Sequence, residues 1–599
     1  MKSVDEALDY ILSVTWKGSR LGLERLTELL ELLGNPQKSL KFVHIAGTNG
    51  KGSTSSMIAS ILQEAGYNVG LFTSPHLLSY QERIIFNHKP INDEDFIDVT
   101  EKLKEACEQM TDQPTVFERF TAMAFIYYAL KKADYVVLEV GLGGRLDSTN
   151  VIDAPLVSVI TNLGLEHTEI LGNTIEEIAL QKAGIIKTGS TCVCYDSEPA
   201  AVKVIEEVCK EKNVPFILAD FSRIQPLASS LDGQSFSYKN YQNMSLALLG
   251  NNQLRNVSVV LEVIDVLKNK GVHISEEQIR AGLKNVHWPA RFDLLSKEPL
   301  FILDGGHNPQ CIESLKENLE TYCPATKFTF IVGVLADKDY LSELKMILPF
   351  AAEFICLTPE SDRALKNDLL AQTINELGVK AQSCATVEEA ISLALATERP
   401  VCAFGSLYMA GDILLKYGPI VKKAQRRLLK NRLKNTSISK DTSQIICEKL
   451  IKNPVVQNAR VIAGYKATDK EVDLSNFYCW AKENGKVIVY PKVVSATEME
   501  MIRFVNEEVF IQGAFNILEP DTSKGSVLNP EQINVILCPC LGYDENHYRL
   551  GHGSGYYDRY LQKCPQAKRI LIATTVQKLK KVIVDKYDQP VDQLITEEL

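Results

Sequence analysis

The sequence predicts an α/β protein built from more than one separately cored unit, and three observations carry that expectation. Short apolar runs recur along the chain and end in polar or glycine-rich turns: Val43 to Ala46 before Gly47-Thr48-Asn49-Gly50-Lys51-Gly52, Tyr135 to Val140 before Gly141, and Phe301 to Leu303 before Asp304-Gly305-Gly306. Helical patterns separate such runs, which is the signature of strands in a mostly parallel sheet. The 599 residues are too many for one core at about 150 residues per domain.

Composition narrows the function classes. With 45% hydrophobic and 23% charged residues the chain reads as an ordinary globular protein, and no apolar run approaches the roughly 20 residues of a membrane span. The first residues, Met1-Lys2-Ser3-Val4-Asp5-Glu6, lack the basic-then-apolar layout of a signal peptide. A cytoplasmic protein without a membrane partner is therefore expected. The net charge of −10 argues against a general nucleic-acid binder. Fourteen scattered Cys, with close pairs only at Cys192/Cys194 and Cys538/Cys540, favour buried reduced thiols over disulfides or zinc.

In chain order, two helices are expected between Val4 and Leu33, then a strand from Val43 to Ala46. The turn after it feeds a helix read from Ser53 to Ala65, and backbone N–H groups at such a junction attract phosphate. Lys51 would add a mobile positive charge there. The turn misses the standard G-x-x-x-x-G-K-[ST] because Gly52 separates Lys51 from Ser53 and Thr54. A glycine-rich turn without a ligand is the plain alternative, but Gly, Lys and hydroxyls coinciding at a strand-to-helix junction favour a nucleotide.

The next strand, Asn68 to Phe72, ends at Thr73-Ser74-Pro75, where the Ser74 hydroxyl either faces that nucleotide or merely makes a turn. Glu139 interrupts an apolar strand, and a buried carboxylate beside ATP finds its partner in Mg²⁺. His167 follows the strand Leu156 to Thr161. Ser74, Glu139 and His167, each after its own strand, are one candidate metal site. Lys182 closes a helix read from Thr174.

A boundary is expected near Trp288-Pro289-Ala290-Arg291, with a second α/β unit from Glu298 to Tyr417. The basic segment Lys422-Lys423-Ala424-Gln425-Arg426-Arg427 opens the last unit, with a polar linker read over Asn435 to Ser443. This unit contains strands at Ala459, Val487 and Asn534, and a second glycine-rich loop, Gly551-His552-Gly553-Ser554-Gly555-Tyr556. That loop is either a phosphate cradle or a surface turn.

The first roughly 420 residues resemble the folylpolyglutamate synthase/dihydrofolate synthase family of the Mur ligase superfamily. The resemblance rests on Gly47 to Ser53, Thr73-Ser74-Pro75-His76-Leu77, Leu138 to Asp147, His167 to Gly172, Lys182 to Lys187, Leu303 to Pro309 and Gly405-Ser406-Leu407-Tyr408. Gly52 separates these ligases from the murein enzymes. The implied fold is a Mur-ligase-like P-loop ATPase domain (1–295) followed by a Rossmann-like ligase domain (296–419). The resemblance puts Asn49, Gly50, Lys51, Gly52, Ser53 and Thr54 on ATP phosphates, and makes Ser74, Glu139 and His167 Mg²⁺ ligands. It makes Lys182 a lysine carried as a carbamate. Asn256, Arg291, Asp304 and His307 match nucleotide contacts, with Lys51, Lys182 and His307 as catalytic groups. Phe117, Glu118, Arg145 and Asp147 lie where the pterin substrate is held.

The last stretch (420–599) looks like a 5-formyltetrahydrofolate cyclo-ligase, a separate α/β domain. The matching parts are the basic helix, Glu471-Val472-Asp473, Gly485 to Pro491, Gly513 to Pro520 and Gly551 to Arg559. The resemblance assigns ATP contacts to Lys422, Lys423, Arg426, Gly551, Gly553, Ser554, Gly555, Tyr556 and Arg559. It assigns Mg²⁺ to Asp558 and folate to Glu471. His552 and Ser554 depart from the family pattern, and Ser554 would strain the loop if its position needs φ > 0. The implied protein is a monomeric bifunctional enzyme using ATP, Mg²⁺, L-glutamate and folates or dihydropteroate. The alternative is an active ligase with a degenerate folate-binding tail.

Overall fold

The computed structural model describes residues 1–14, 22–434, 436, 438–495, 497–504, 508–513, 517–585 and 588–598. Ala514, Phe515 and Asn516, part of the stretch compared with the cyclo-ligases, lie outside the described residues. The chain forms two compact units: residues 1–294, 302–385 and 402–412, and residues 295–301, 386–401 and 413–599.

The first unit is centred on an eight-stranded sheet. Its strands are β1 (Phe42–Ala46), β2 (Val69–Phe72), β3 (Ile84–Phe86), β4 (Lys89–Pro90), β5 (Tyr135–Glu139), β6 (Val157–Ile160), β7 (Thr191–Cys194) and β8 (Phe216–Leu218), in the order β4-β3-β2-β5-β1-β6-β7-β8. β1 pairs in parallel with β5 on one side and β6 on the other, and only β3 is reversed, pairing antiparallel with both β2 and β4. β1, β2, β5, β6 and β7 are buried throughout. Helices on both faces cause this burial, so these strands read as continuous apolar runs without alternation. On one face Val43, Ile45 and Val159 pack against Ile58 and Ile61 of the helix Lys51–Glu64 and Val260 of the helix Asn251–Asn269. On the other, Phe42, Val136 and Leu138 pack against Phe120 and Phe125 of the helix Val116–Leu130.

Because the parallel strands share a direction, their carboxyl ends lie along one edge. Gly47, Thr73, Val140 and Thr161 follow those ends, and this is where an open α/β sheet binds ligands.

Beyond β8 the chain makes an antiparallel sheet of β9 (Ile224–Ser230), β10 (Gly233–Tyr238) and β11 (Tyr241–Leu246), which the sequence reading did not resolve. β9 is exposed along nearly its whole length and has no apolar face to announce it. The same unit holds a second parallel array of the strands Phe328–Val332, Ala351–Cys356 and Ala381–Ser383. Residues 402–404 lie beside it, with the Ala403 carbonyl accepting from Asp304 N–H at 2.8 Å.

The second unit is built on a seven-stranded sheet whose central strand, Val461–Ala463, pairs in parallel with Val487–Val493 and Val535–Pro539. Beyond these lie Lys568–Ile572 and Gln593–Ile595 on one side, and on the other Met499–Phe504, antiparallel to both its neighbours, and then Gly525–Val527. The basic segment belongs to a longer helix than expected, Leu407–Lys434, which continues through Pro419. The expected linker is also shorter. Ser439 caps a helix Lys440–Lys452, accepting from Thr442 N–H at 3.0 Å, and Ile446, Cys447 and Leu450 bury its inner face.

All fourteen cysteines are free thiols, buried except for Cys311 and Cys479. Among the described residues, no helix is long and apolar enough to cross a membrane.

Candidate active site

The carboxyl edge of the eight-stranded sheet opens into a cavity of about 840 Å³. Asn49 to Ser53 form one wall, Ser74, Glu139 and His167 a second, and Asn256, Arg291, Asp304 and His307 a third. Residues from three distant stretches of sequence are thus brought to one place.

The helix after β1 starts at Lys51, two residues earlier than the sequence pattern suggested, with Gly50 as its N-cap at φ +84°. A side chain at Gly50 would be strained and would run into Asn256 Oδ1, 2.7 Å from an ideal Cβ. No side chain caps this helix, so its first-turn N–H groups stay available to an anion. Lys51 folds back on its own loop, donating to the carbonyls of Gly47 at 2.9 Å and Thr48 at 3.1 Å. Lys182, almost fully buried, donates to the same Gly47 carbonyl at 2.8 Å. Burial and the neighbouring Lys51 push its pKa down to about 7. Lys182 lines a small adjoining cavity together with Lys51, Glu166 and His167. Thr54, in contrast, is fully buried and faces away from the cavity.

Glu139 ends β5 as a carboxylate with 3% exposure, and the Ser74 amide donates to it at 3.3 Å. Burial pushes its pKa up to about 7 against the pull of Lys51 and Arg291. A desolvated carboxylate so thinly hydrogen-bonded suits a cation, and a hydroxyl, a carboxylate and an imidazole on one wall are a donor set that Mg²⁺ accepts. Among the described residues no three His, Cys, Asp or Glu side chains gather as a ligand cluster, so such a cation would complete its shell with water and phosphate oxygens. His167 sits at φ +53° at the start of the helix Thr168–Leu171, and burial holds its pKa low, leaving a neutral ring.

On the third wall Asp304 accepts from Phe292 N–H at 2.8 Å and Gly306 N–H at 2.7 Å, tying the Arg291 turn to the Gly305-Gly306 turn. Asn256 donates to Gln253 at 3.0 Å, and Gln253 reaches Ser53 at 3.4 Å. His307 Nδ1 lies 2.9 Å from the Gly305 carbonyl, which places the ring proton on Nδ1 and a lone pair on Nε2. Nε2 faces Glu166 at 3.9 Å. The sequence reading assigned no role to Glu166 or to Lys338, which donates to Glu166 at 3.1 Å. Burial works to raise the Glu166 pKa, but the charge and hydrogen bond of Lys338 outweigh it and hold the pKa below the usual carboxylate value.

Two of the four residues matched to the pterin site line the cavity and two do not. Phe117 and Asp147 line it. Asp147 accepts from Leu142 N–H at 2.9 Å and from the Thr149 hydroxyl, which bonds His44 Nε2 at 2.9 Å. Glu118 is 1% exposed, and its carboxylate is committed to Arg25 at 3.0 Å and to the Thr115 N–H at 2.7 Å in a capping box. That commitment turns it into the core instead of toward a substrate. Arg145 is exposed outside the cavity walls, and its backbone N–H bonds Gln181 O at 2.8 Å.

In the second unit the Gly551 loop meets the basic helix: Arg426 Nε donates to the Gly551 carbonyl at 2.9 Å. Gly553 at φ +121° and Gly555 at φ +67° supply the left-handed turns, whereas Ser554 has no positive φ, so the feared strain is absent. Arg559 braces the loop by donating to Ser554 O at 2.7 Å and Thr497 O at 2.6 Å, and the Tyr556 hydroxyl donates to Ser495 O at 3.1 Å. Glu471 accepts from Thr468 N–H at 2.9 Å and acts electrostatically on His552, so these distant motifs share a neighbourhood. Asp558 is paired with the buried Arg549 at 2.7 Å. Lys422 is buried and held by Asp585 at 2.7 Å and by Asp588, which takes its ammonium away from phosphate binding, while Lys423 is exposed.

Residues 45–264 match the Mur ligase middle domain, residues 290–406 the Mur ligase glutamate ligase domain, and residues 420–597 the 5-formyltetrahydrofolate cyclo-ligase family. The dihydrofolate synthase/folylpolyglutamate synthase of Bacillus subtilis is 40% identical over 341 residues, 55% of this chain and 79% of that protein. The folylpolyglutamate synthase of Lacticaseibacillus casei is 34% identical over 407 residues, 65% of this chain and 92% of that one. The solved structure of Mycobacterium tuberculosis folylpolyglutamate synthase complexed with ADP superposes with a TM-score of 0.63 at 28% identity, covering 69% of this chain and 99% of that one. With a glycine-rich strand-to-helix turn, a buried carboxylate and two lysines gathered at one sheet edge, the chain belongs to the folylpolyglutamate synthase/dihydrofolate synthase family of ATP- and Mg²⁺-dependent Mur-type ligases, carrying a 5-formyltetrahydrofolate cyclo-ligase family domain at its carboxyl end.

Proposed function

We propose that residues 1–295 and 296–419 together add L-glutamate to dihydropteroate, a reduced folate or both, and that residues 420–599 cyclise 5-formyltetrahydrofolate to 5,10-methenyltetrahydrofolate, each at the expense of ATP. The observation that carries the first activity is Glu139 beside Lys51 in a cavity walled by the uncapped phosphate helix. A carboxylate and an amine do not condense at neutral pH. An oxygen of the acceptor carboxylate therefore attacks the γ-phosphorus of ATP, the bond to ADP breaks, and an acyl phosphate forms. The amino nitrogen of glutamate then attacks the acyl carbon, phosphate leaves with the carbon–oxygen electron pair, and the nitrogen loses a proton.

In this reading Lys51 swings from its loop carbonyls to the terminal phosphates, and the N–H groups from Gly50 to Ser53 hold their oxygens, the Thr54 N–H being committed to the Gly50 carbonyl at 3.0 Å. Asn256, Arg291 and Asp304 position the nucleotide. Ser74, Glu139 and His167 would hold Mg²⁺, which would supply charge neutralisation for the transferred phosphoryl group. Lys182, with its pKa near 7, exists partly as the neutral amine that can take up carbon dioxide as a carbamate. His307 Nε2 accepts the proton that the glutamate nitrogen gives up. Phe117 and Asp147 face the pterin.

In the second domain the formyl oxygen attacks the γ-phosphorus of ATP as the bond to ADP breaks, N10 attacks the activated carbon and loses its proton, and phosphate leaves with the carbon–oxygen electron pair as the ring closes. Arg426, Arg559 and the Gly551–Tyr556 loop hold phosphates, Glu471 touches the folate, and Asp558 must loosen its pair with Arg549 to reach Mg²⁺.

Both assays are run on the full-length protein. Radiolabelled glutamate is expected to enter a folate or pteroate product, and 5-formyltetrahydrofolate to give a product absorbing as methenyltetrahydrofolate. Lys51→Ala should abolish the first and spare the second, whereas loss of both in a folded variant refutes independent sites. No methenyl product under excess ATP and Mg²⁺ would leave the second domain a degenerate folate-binding tail.

A further inference from the structure

Arg83 is a cation without an anion. It lines the cavity near Ser74, and its Nε donates to Nδ1 of His76 at 3.0 Å. Its guanidinium carbon lies 5.5 Å from the ring centre of Tyr80 and 5.3 Å from that of Phe120, two rings stacked 5.5 Å apart at 6°. Aromatic faces and a neutral imidazole fix the direction of the guanidinium but do not neutralise it. Among the described residues no carboxylate lies within ion-pair distance of it, and its terminal nitrogens donate to no protein acceptor. Tyr408, also on the cavity wall, is the further polar side chain that acts on it electrostatically. Desolvating a charge without pairing it is costly, so a half-buried guanidinium aimed by stacking and left unpaired is arranged for an anion that arrives with the ligand.

We propose that Arg83 receives a substrate carboxylate that does not react, and so sets which acceptors the ligase half uses. A planar guanidinium whose two terminal nitrogens are free matches a carboxylate bidentately along that edge. This rests on the glutamate-adding function proposed above. Dihydropteroate has one carboxylate, the one consumed, whereas a folate that already carries glutamate adds an α-carboxylate. Incoming L-glutamate also brings one. The phosphates of ATP have Lys51 and the uncapped helix N-terminus to meet them.

The test is binding of tetrahydrofolate against tetrahydropteroate, which differ by that glutamate, to the full-length protein by fluorescence titration. The wild type is expected to hold tetrahydrofolate about tenfold more tightly. Arg83→Gln should hold both alike, and Arg83→Lys should recover part of the difference. If instead the folate pair is unaffected and Arg83→Gln raises only the KM for L-glutamate with dihydropteroate as acceptor, the carboxylate recognised is that of the incoming amino acid. An equal weakening of both pterins, or a loss confined to ATP, overturns the assignment while leaving the ligase reading intact. A wild type that binds neither pterin overturns both.

Discussion

Gly52 lies beneath the indole of Trp288: a Cβ built on it would stand 2.6 Å from Cζ2 and 2.9 Å from Nε1. The residue that spoils the generic phosphate-loop pattern is therefore required by packing. Gly52→Ala gains at most about 1 kcal/mol in helix propensity. Moving a rigid ring out of contact costs about 1–3 kcal/mol. The variant should be destabilised by roughly 1–2 kcal/mol net, with a shifted Trp288 emission and a raised KM for ATP. Unchanged emission and melting would refute the contact.

Glu139 should make the metal-free protein less stable than it need be. Its pKa stands near 7 in the fold against 4.5 in the unfolded chain. Between those values the native state holds a proton that the unfolded state has lost, so stability falls as pH rises from about 4.5 to about 7 and then levels. Glu139→Gln should accordingly raise the stability of metal-free protein at pH 8 by about 1–3 kcal/mol and abolish glutamate addition. Thermal melts at pH 5 and pH 8 check this: the gain should be large at pH 8 and nearly gone at pH 5.

Lys182 titrates with the opposite sign. Between about 7 and 10.5 the unfolded chain carries a proton that the native state lacks, so stability rises with pH across that window. Lys182→Met should stabilise the protein at pH 6.5 by about 1–3 kcal/mol, the lost bond to Gly47 included, and the gain should fade toward pH 10. Ligase activity should disappear. In the native protein, ¹³C-labelled bicarbonate should give a carbamate resonance that Lys182→Met lacks.

Much of this site was legible because parallel strands deliver their ends to one edge. Once Glu139 ends a strand and Gly47, Ser74 and His167 each follow one, a shared site needs no knowledge of side-chain direction. Direction is what defeated the reading elsewhere. Glu118 sits at the third position after Thr115, the spacing of a capping box, and that local signal was available. Nothing local foretold that Arg25, 93 residues away, would close on it. Lys422 is similar, because its partners lie 163 and 166 residues downstream. Arg83 was passed over because its environment is aromatic and assembled from Tyr80 and Phe120, with no charged motif to mark it.

Adjacent lysines on the basic helix should separate cleanly. Removing the Lys422 ammonium leaves Asp588, 15% exposed, without its cation. Lys422→Met should destabilise the second unit by about 1–3 kcal/mol, discounted from a fully buried pair because Asp585 is half exposed. Lys423→Ala should leave the melting temperature within error and alter only the KM for ATP in the cyclisation assay. A variant pair with the reverse pattern would return Lys422 to the phosphates.

Ser554 tests whether departure from the family pattern has disabled the second domain. Its backbone needs no glycine, since the left-handed positions are taken by Gly553 and Gly555. Its side chain is exposed, and its carbonyl accepts from Arg559 as any residue's would. Ser554→Gly should therefore change cyclisation less than twofold and lower stability by about 0.5 kcal/mol through added freedom of the unfolded chain. Gly553→Ser, which puts a Cβ at φ +121° about 3.6 Å above the Arg426 guanidinium, should cost about 1–2 kcal/mol and most of the activity. If Ser554→Gly instead raised activity tenfold, the loop would be a damaged site; if neither variant moved it, the loop would not hold the nucleotide.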